Sequence, residues 1–259
     1  MIDRDLHNGI AVPAWNCADT IDELVQRLNA LSMDLTIFVV DDASTDDTLA
    51  KAQAYENVIA VRNQTNRGYG GTSKRLYEMA HEAGVDLVIN VHGDLGHNPE
   101  DILPIIEGFR ATEADFVFGS RLVYIVEQLK THGHRLFLDP ELRGRMPLVR
   151  LFGHFGLTFV QNRLFGQRLK SYHEGMRGSS AATVRWILEQ DLPDWYDFDT
   201  TLLVRGASAG FHIEEVPVPP RYHTQAKSSA PPFRYGWKVL IGSIRNAPRY
   251  RRMRRRVGK

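Results

Sequence analysis

Five short apolar runs recur between residues 9 and 120, each closing on polar or acidic residues and each followed by a helical pattern. That alternation restricts the chain to a sheet wound with helices, because repeated βα units build a mostly parallel sheet covered on its faces. The spacing predicts strands over residues 10–13, 35–41, 58–62, 87–91 and 116–119, with helices near 20–31, 46–54, 71–83 and 99–109. Asp19, Thr45 and Asn98 are the expected helix starts, and Pro99 suits a first helical position. The expected fold class is α/β. Open sheets of this kind bind ligands in the crevice outside the carboxyl ends of their strands, so the residues that end the runs carry the chemistry.

With 259 residues, 43% of them hydrophobic, the chain can bury a large core. A lone cysteine, Cys17, rules out an internal disulfide framework and a Cys-rich zinc site, and it points to a reducing, cytoplasmic setting. The first eight residues are charged and lack the apolar centre of a signal peptide. No stretch approaches the length of a membrane span. Charge is distributed unevenly: residues 1–215 hold 20 basic and 31 acidic residues, net −11, whereas residues 216–259 hold twelve Lys or Arg and no acid. An acidic body therefore carries a basic tail.

Beyond residue 120 the βα rhythm fails. Residues 121–147 mix charges without a period and read as a long connection over the sheet edge. From 147 to 169, Leu148, Leu151, Phe152, Phe155, Phe159, Leu164 and Phe165 give an amphipathic helical pattern broken by glycines. A last strand is expected over 211–218. The division is residues 1–120 as a ligand-binding βα region, 121–236 as a further part of the same domain, and 237–259 as a basic amphipathic tail.

The fourth run, Leu87-Val88-Ile89-Asn90-Val91-His92-Gly93-Asp94, stops at an imidazole, a glycine and a carboxylate. Asp94 is a hard oxygen donor suited to Mg²⁺ or Mn²⁺, with His92 two residues away on the same face of an extended chain. Asp94 as a cap on the next helix is the competing reading. The second run ends in Asp41 and Asp42, followed by Ser44, Thr45, Asp46 and Asp47. A helix start with acidic first-turn residues explains Thr45 to Asp47, but two adjacent carboxylates repel unless they have a partner such as a nucleoside. The third run leads to Asn66-Arg67-Gly68-Tyr69-Gly70-Gly71-Thr72-Ser73-Lys74. Glycines, free N–H groups at a helix start and basic residues suit a diphosphate, and a tight left-handed turn explains the glycines equally.

Taken together, residues 9–236 resemble family 2 glycosyltransferases of the GT-A fold, in particular dolichyl- and polyprenyl-phosphate glycosyltransferases. Val12-Pro13-Ala14-Trp15-Asn16 is similar to the opening strand motif of that family, and Val40-Asp41-Asp42-Ala43-Ser44-Thr45 to its Asp-Asp-Gly-Ser segment. By that likeness Pro13, Asn16, Asp41 and Asp42 line the nucleotide pocket, and Arg67, Gly68 and Gly93 approach the donor. His92-Gly93-Asp94 resembles the family's metal-binding Asp-x-Asp, with a histidine at the first position, so Asp94 and His92 are the candidate metal ligands. Phe118-Gly119-Ser120-Arg121 is similar to the segment near the acceptor phosphate, a role that suits the bidentate fork of Arg121. Ser171-Tyr172-His173-Glu174-Gly175-Met176-Arg177 resembles an acceptor-side catalytic segment, which makes Glu174 or His173 the candidate general base and Arg177 a substrate contact. The loop that holds Arg221 and Lys227 is similar to one on the acceptor side, where Lys227 would help neutralise the leaving diphosphate.

The resemblance implies a GT-A-type, mostly parallel nucleotide-binding sheet with a C-terminal acceptor-side extension. It implies an inverting, Mg²⁺- or Mn²⁺-dependent glycosyltransferase that moves a sugar from a nucleotide-diphosphate donor to a polyprenyl phosphate or a lipid-linked or cell-envelope glycan. His92 in place of Asp leaves open a non-catalytic sugar-nucleotide-binding or scaffold protein. A nucleotidyltransferase would need a glycine-rich loop after the first strand, where Ala14-Trp15-Asn16-Cys17 stands instead. Seven basic residues among the last eleven, preceded by Trp237, Val239, Leu240, Ile241 and Ile244, fit the anionic inner face of a membrane as a peripheral anchor. No nucleic-acid partner is expected, since the acidic body offers no basic groove.

Overall fold

The computed structural model describes residues 6–133, 148–172, 176–195, 197–219, 240–241, 243–244 and 247–248. Its centre is a seven-stranded sheet. In chain order the elements are β1 (Asn8–Ala14), α1 (Ile21–Asn29), β2 (Leu35–Asp41), α2 (Thr48–Ala52), β3 (Val58–Arg62), α3 (Gly68–Glu82), β4 (Leu87–Asn90), a 3₁₀ turn (Pro99–Asp101) running into α4 (Ile102–Thr112), β5 (Phe116–Ser120), α5 (Arg121–His132), α6 (Leu148–Phe165), β6 (Arg177–Ser180), α7 (Ala181–Leu188), α8 (Phe198–Ala209) and β7 (Ile213–Pro217). The strand order is β3-β2-β1-β4-β6-β5-β7.

β1 to β5 and β7 run in one direction, and β6 alone is antiparallel, wedged between β4 and β5. The start of β6 therefore meets the ends of its neighbours, and Arg177 pairs with Asn90 on one side and Phe118 on the other. Register places Ala14 beside Asp41 and Asp41 beside Arg62, so the residues that end β1, β2 and β3 share one edge.

Alternation along the strands divides the core in two. Ile10, Val12, Ile37, Val39 and Ile89 face a layer that includes Ile21, Leu24, Val25 and Leu28 of α1 and Ile102, Ile105 and Ile106 of α4. Ala11, Phe38, Val40 and Val88 face Leu76, Tyr77 and Ala80 of α3, Val184 and Ile187 of α7, and Phe198, Leu202 and Leu203 of α8. The i, i+3, i+4, i+7 spacing in α1 is what buries one stripe of that helix. Each fully buried Leu, Ile or Phe adds about 1.5–3 kcal/mol, and these two layers hold the sheet edge rigid.

The five predicted strands and their helices are present, with ends within a few residues of expectation. Two expectations are corrected. Residues 121–132 are not a connection but the helix α5, whose buried Leu122, Val123 and Ile125 anchor it while Glu127 and Lys130 face solvent; the Ser120 hydroxyl caps it by accepting from Val123 N at 3.3 Å. Residues 148–165 form one continuous helix that Gly153 and Gly156 do not break. No helix among the described residues is long and apolar enough to cross a membrane.

Candidate functional site

At the edge where β1 and β2 end, the chain is clipped by side chains. Asn16, with φ at +51°, accepts from Thr45 N at 2.9 Å, while its own N–H donates to Ser44 Oγ at 2.8 Å. Asp41 is fully buried, accepts from the backbone N–H of Ser44 at 3.1 Å and from the Ser44 hydroxyl, and faces Arg62 Nε at 3.5 Å. Asp42 is 5% exposed and takes three hydrogen bonds, from Asn63 Nδ2 and Arg67 N at 2.8 Å each and from Gly68 N at 3.0 Å. The partners that two adjacent carboxylates require are thus supplied by the protein. Pro13 lies alongside, its carbonyl accepting from Gly93 N at 3.2 Å.

The glycine-rich start of α3 departs from the expectation of free N–H groups. Those of Arg67 and Gly68 are held by Asp42, and those of Gly70 and Gly71 by the Asp194 carbonyl at 2.7 and 3.1 Å. Lys74 reaches the Leu192 carbonyl at 2.9 Å and the Asp194 carboxylate at 2.5 Å. The glycines serve packing: Gly68 has φ at +73°, and a Cβ on Gly70 would stand 2.3 Å from the Pro193 carbonyl oxygen. Close approach of two backbones, rather than of a diphosphate, is what this turn achieves.

Beyond β4 the chain turns through Leu95, at φ +54°, and leaves Asp94 exposed, one of its oxygens accepting from Gly96 N at 2.9 Å. Gly93 sits where a Cβ would press Ala14 at 3.2 Å and Cys17 at 3.3 Å. His92 is half-buried with Nε2 sealed from solvent and without a hydrogen-bond partner, its ring 5.2 Å from that of Tyr69 and 5.9 Å from that of His97. Burial holds the His92 imidazole below the usual histidine range, against the opposing pull of Asp94. His97, 7% exposed, is pushed further down, by burial first and then by Arg121. Arg121, the first residue of α5, brings Nη2 to 3.4 Å from His97 Nε2.

A metal has few donors here. Among the described residues no group of three or more His, Cys, Asp or Glu side chains is placed to hold one. The exposed Asp94 carboxylate and the orphaned His92 Nε2 fit an ion that takes its remaining oxygens from a bound diphosphate and water, the usual state of Mg²⁺ beside phosphates.

Arg177 lies behind this edge, wholly buried. It is salt-bridged to Asp199 of α8, donates to the hydroxyls of Tyr77 and Tyr69 at 3.2 Å each, and stands 5.5 Å from the Phe198 ring centre. Burial opposes its charge, but Asp199 and the two phenols more than compensate and raise its pKa. Tyr77 also donates to Asn90 Oδ1 at 2.7 Å, which ties the guanidinium to the end of β4. In this arrangement Arg177 holds the sheet edge together rather than facing solvent. Tyr69, His97, Asp194 and Asp199 were not singled out from sequence; their partners lie up to 124 residues away in the chain, beyond the reach of local spacing. His173, Glu174, Arg221 and Lys227 lie outside the described residues.

The chain is 24% identical to a UDP-N-acetylglucosamine–dolichyl-phosphate N-acetylglucosaminyltransferase of Methanococcus voltae over 89% of its own length and 92% of the relative's. It is 28% identical to an undecaprenyl-phosphate mannosyltransferase of Micrococcus luteus over 80% of each chain. Among solved structures, mannosyl-3-phosphoglycerate synthase from Rubrobacter xylanophilus superposes with a TM-score of 0.63 at 17% identity, covering 98% of this chain and 76% of that one. Glucosyl-3-phosphoglycerate synthase from Mycobacterium tuberculosis, solved with Mn²⁺, UDP and glucosyl-3-phosphoglycerate, gives 0.60 at 15% identity, covering 93% and 80%. These structures share the fold, a mostly parallel sheet flanked by helices of the GT-A type. The description of glycosyl transferase family 2 matches residues 9–191, well over half the chain, and this protein is a glycosyltransferase of that family.

Proposed function

We propose that this glycosyltransferase moves a sugar, with inversion, from a nucleotide-diphosphate donor to a polyprenyl phosphate or a lipid-linked or cell-envelope glycan at the inner face of a membrane. The observation that carries the reading is the cluster beyond the ends of β4 and β5: the His92 ring packs against His97, Arg121 at the start of α5 reaches His97, and the charges of Asp94 and Arg121 both act on His92. The cluster combines an exposed carboxylate with a guanidinium, the chemistry for a metal-bound diphosphate and for an incoming phosphate.

In this mechanism Pro13 and Asp42 wall the base pocket, where Asp42 keeps a lone-pair position beyond the three it uses within the protein. Asp94 and His92 would hold Mg²⁺ or Mn²⁺, which when bound would offset the charge that grows on the departing diphosphate. Arg121 orients the acceptor phosphate. Its oxygen attacks the anomeric carbon from the face opposite the leaving group, forming the new C–O bond as the bond to the diphosphate oxygen breaks. A phosphate monoester, with a second pKa near 6, is largely ionised at neutral pH and needs orientation rather than a base. A hydroxyl acceptor would require Glu174 or His173 to take its proton. Lys227 is assigned to the leaving diphosphate.

Membrane work is supported by surface character. Phe155, Phe159 and Val160 of α6 are exposed, and so are Ile241 and Ile244 beside it, the two segments joined by the Gln161–Ser243 hydrogen bond at 3.1 Å. The basic residues 249–259 follow in sequence and suit anionic headgroups. The deciding experiment incubates the purified protein with a panel of nucleotide sugars, Mn²⁺ and undecaprenyl phosphate, and reads the anomeric configuration of the product by NMR. An inverted glycosyl phosphate that requires metal and is lost in Asp94→Asn is expected. Transfer that survives chelation or Asp94→Asn overturns the metal assignment, and retained configuration overturns inversion.

A further inference from the structure

Thr20 and Asn98 both stand at N-cap positions, Thr20 before α1 and Asn98 before the 3₁₀ turn, and both are of the residue types that cap. Neither side chain makes a capping bond. The Thr20 hydroxyl donates instead to the Gly93 carbonyl at 2.6 Å, with the Cys17 carbonyl farther off at 3.2 Å. Asn98 Oδ1 accepts from Arg27 Nη2 at 3.2 Å. The same guanidinium donates to both carboxylate oxygens of Glu100, from Nε at 2.8 Å and Nη2 at 2.5 Å, and from Nη1 to Glu23 at 2.9 Å. Thr20 and Arg27 lie about two turns apart on one helix. Ile21, Leu24, Val25 and Leu28 of that helix are wholly buried, so α1 is fixed against the sheet.

The exposed Asp94 carboxylate is carried between these two attachments. Gly93 is tied to the start of α1 and Asn98 to its last turn, and residues 94–97 turn back between them through Leu95, at φ +54°. We propose that α1 is a strut that holds Asp94 ready for a metal-bound diphosphate, with Thr20 and Arg27 as its positioning residues. An ion held by few protein donors depends on where each of them stands, since no further side chain makes up for a displaced carboxylate. Arginine suits the far attachment because its planar fork meets Glu23, Asn98 and Glu100 at once, which a point-charge ammonium does not. Stability is a lesser part of its work: the Arg27 and Glu100 side chains are 26% and 43% exposed, and ion pairs in contact with water add little. The proposal rests on the reading of Asp94 as a metal ligand.

The test titrates UDP and GDP into the full chain by calorimetry, with Mn²⁺ and with a chelator, and reads the gain in affinity that the metal brings. Arg27→Met keeps the stem and loses the fork; Thr20→Val keeps the shape and loses the hydroxyl. Each should cut the gain about tenfold, the lower end of what groups supporting a metal ligand contribute. Thr20→Ser, which retains the hydroxyl, should restore it. Nucleotide affinity in the chelator should be unchanged in all three, because the end of β2 is held by other contacts. Since the strut acts through Asp94, Arg27→Met should remove nothing further in an Asp94→Asn background. Urea midpoints identify a purely structural role, which lowers the midpoint and leaves the metal gain intact. An intact gain in Arg27→Met or in Thr20→Val, or a further loss in the Asp94→Asn background, overturns the strut and leaves the metal reading standing. A wild-type chain whose nucleotide affinity does not rise with Mn²⁺ overturns the metal reading, and the strut with it.

Discussion

Asp42, at the end of β2, reaches the first residue of α3, its Oδ2 accepting from Gly68 N at 3.0 Å while Oδ1 accepts from Arg67 N at 2.8 Å. One carboxylate thus joins two βα units and answers two N–H groups that a helix start leaves open. Asp42→Ala should cost about 3 kcal/mol, a lost cap together with buried donors left unmatched. Asp42→Asn, which keeps one oxygen, should cost less than half of that. Urea denaturation monitored by circular dichroism measures both; a loss under about 1 kcal/mol for the alanine variant would show that water replaces the carboxylate.

Gly70 and Gly153 predict opposite outcomes for the same substitution. A Cβ on Gly70 collides with the Pro193 carbonyl oxygen at 2.3 Å, and backbone on both sides prevents easy relief. Gly70→Ala should destabilise by about 3 kcal/mol and displace the 193–195 turn from α3. Gly153 is exposed inside α6, and among the described residues nothing lies within 4 Å of its Cβ position, so Gly153→Ala should stabilise by up to about 1 kcal/mol. Thermal midpoints on the two variants separate steric need from helix propensity, and a shift in the same direction for both would contradict the packing assigned to Gly70.

Legibility of the fold followed hydrophobic pattern. β2 and β3 match expectation residue for residue, because continuous apolar runs bounded by polar residues have few alternatives. β6 was invisible: Arg177-Gly178-Ser179-Ser180 has no apolar residue, and it forms a central strand because long-range pairing to β4 and β5 overrides local propensity. α5 was hidden because its buried stripe, Leu122, Val123 and Ile125, is narrow beside its charges. At the site, residues that end strands could be read, but their commitments could not. The N–H groups of Gly70 and Gly71 are claimed by Asp194, more than a hundred positions away.

His92 and His97 give the folded chain a pH dependence of known sign. Burial lowers both histidines below their ordinary value, so as pH falls the unfolded chain takes up protons first. Their stabilising effect is complete above about pH 6.5 and is lost below it, at up to about 1.4 kcal/mol per pH unit for each group until its folded pKa is reached. His97→Gln should flatten the dependence between about pH 6.5 and 5.5 relative to the parent chain, since carboxylates titrate lower. Urea midpoints in that range measure the difference. Parallel curves would mean that His97 is protonated in the fold, which is incompatible with its acceptance of a hydrogen bond from Arg121.

The exposed face shared by α6 and residues 240–244 predicts how the chain meets lipid. Phe159 is 73% exposed and Phe155, one turn away, 38%, an unfavourable display unless both enter the boundary between headgroups and acyl chains. Cosedimentation with anionic phosphatidylglycerol vesicles should weaken roughly tenfold for each of Phe155→Ser and Phe159→Ser, the scale of burying one aromatic side chain. This loss should persist at high salt, because it is apolar in origin. Removal of residues 249–259 should instead abolish the salt-sensitive part of binding, each basic residue contributing about 1 kcal/mol near the surface. Replacing the vesicles with neutral phosphatidylcholine should reproduce the tail deletion but not the serine variants. Unchanged sedimentation of the Phe155→Ser/Phe159→Ser double variant at high salt would remove α6 from the docking face.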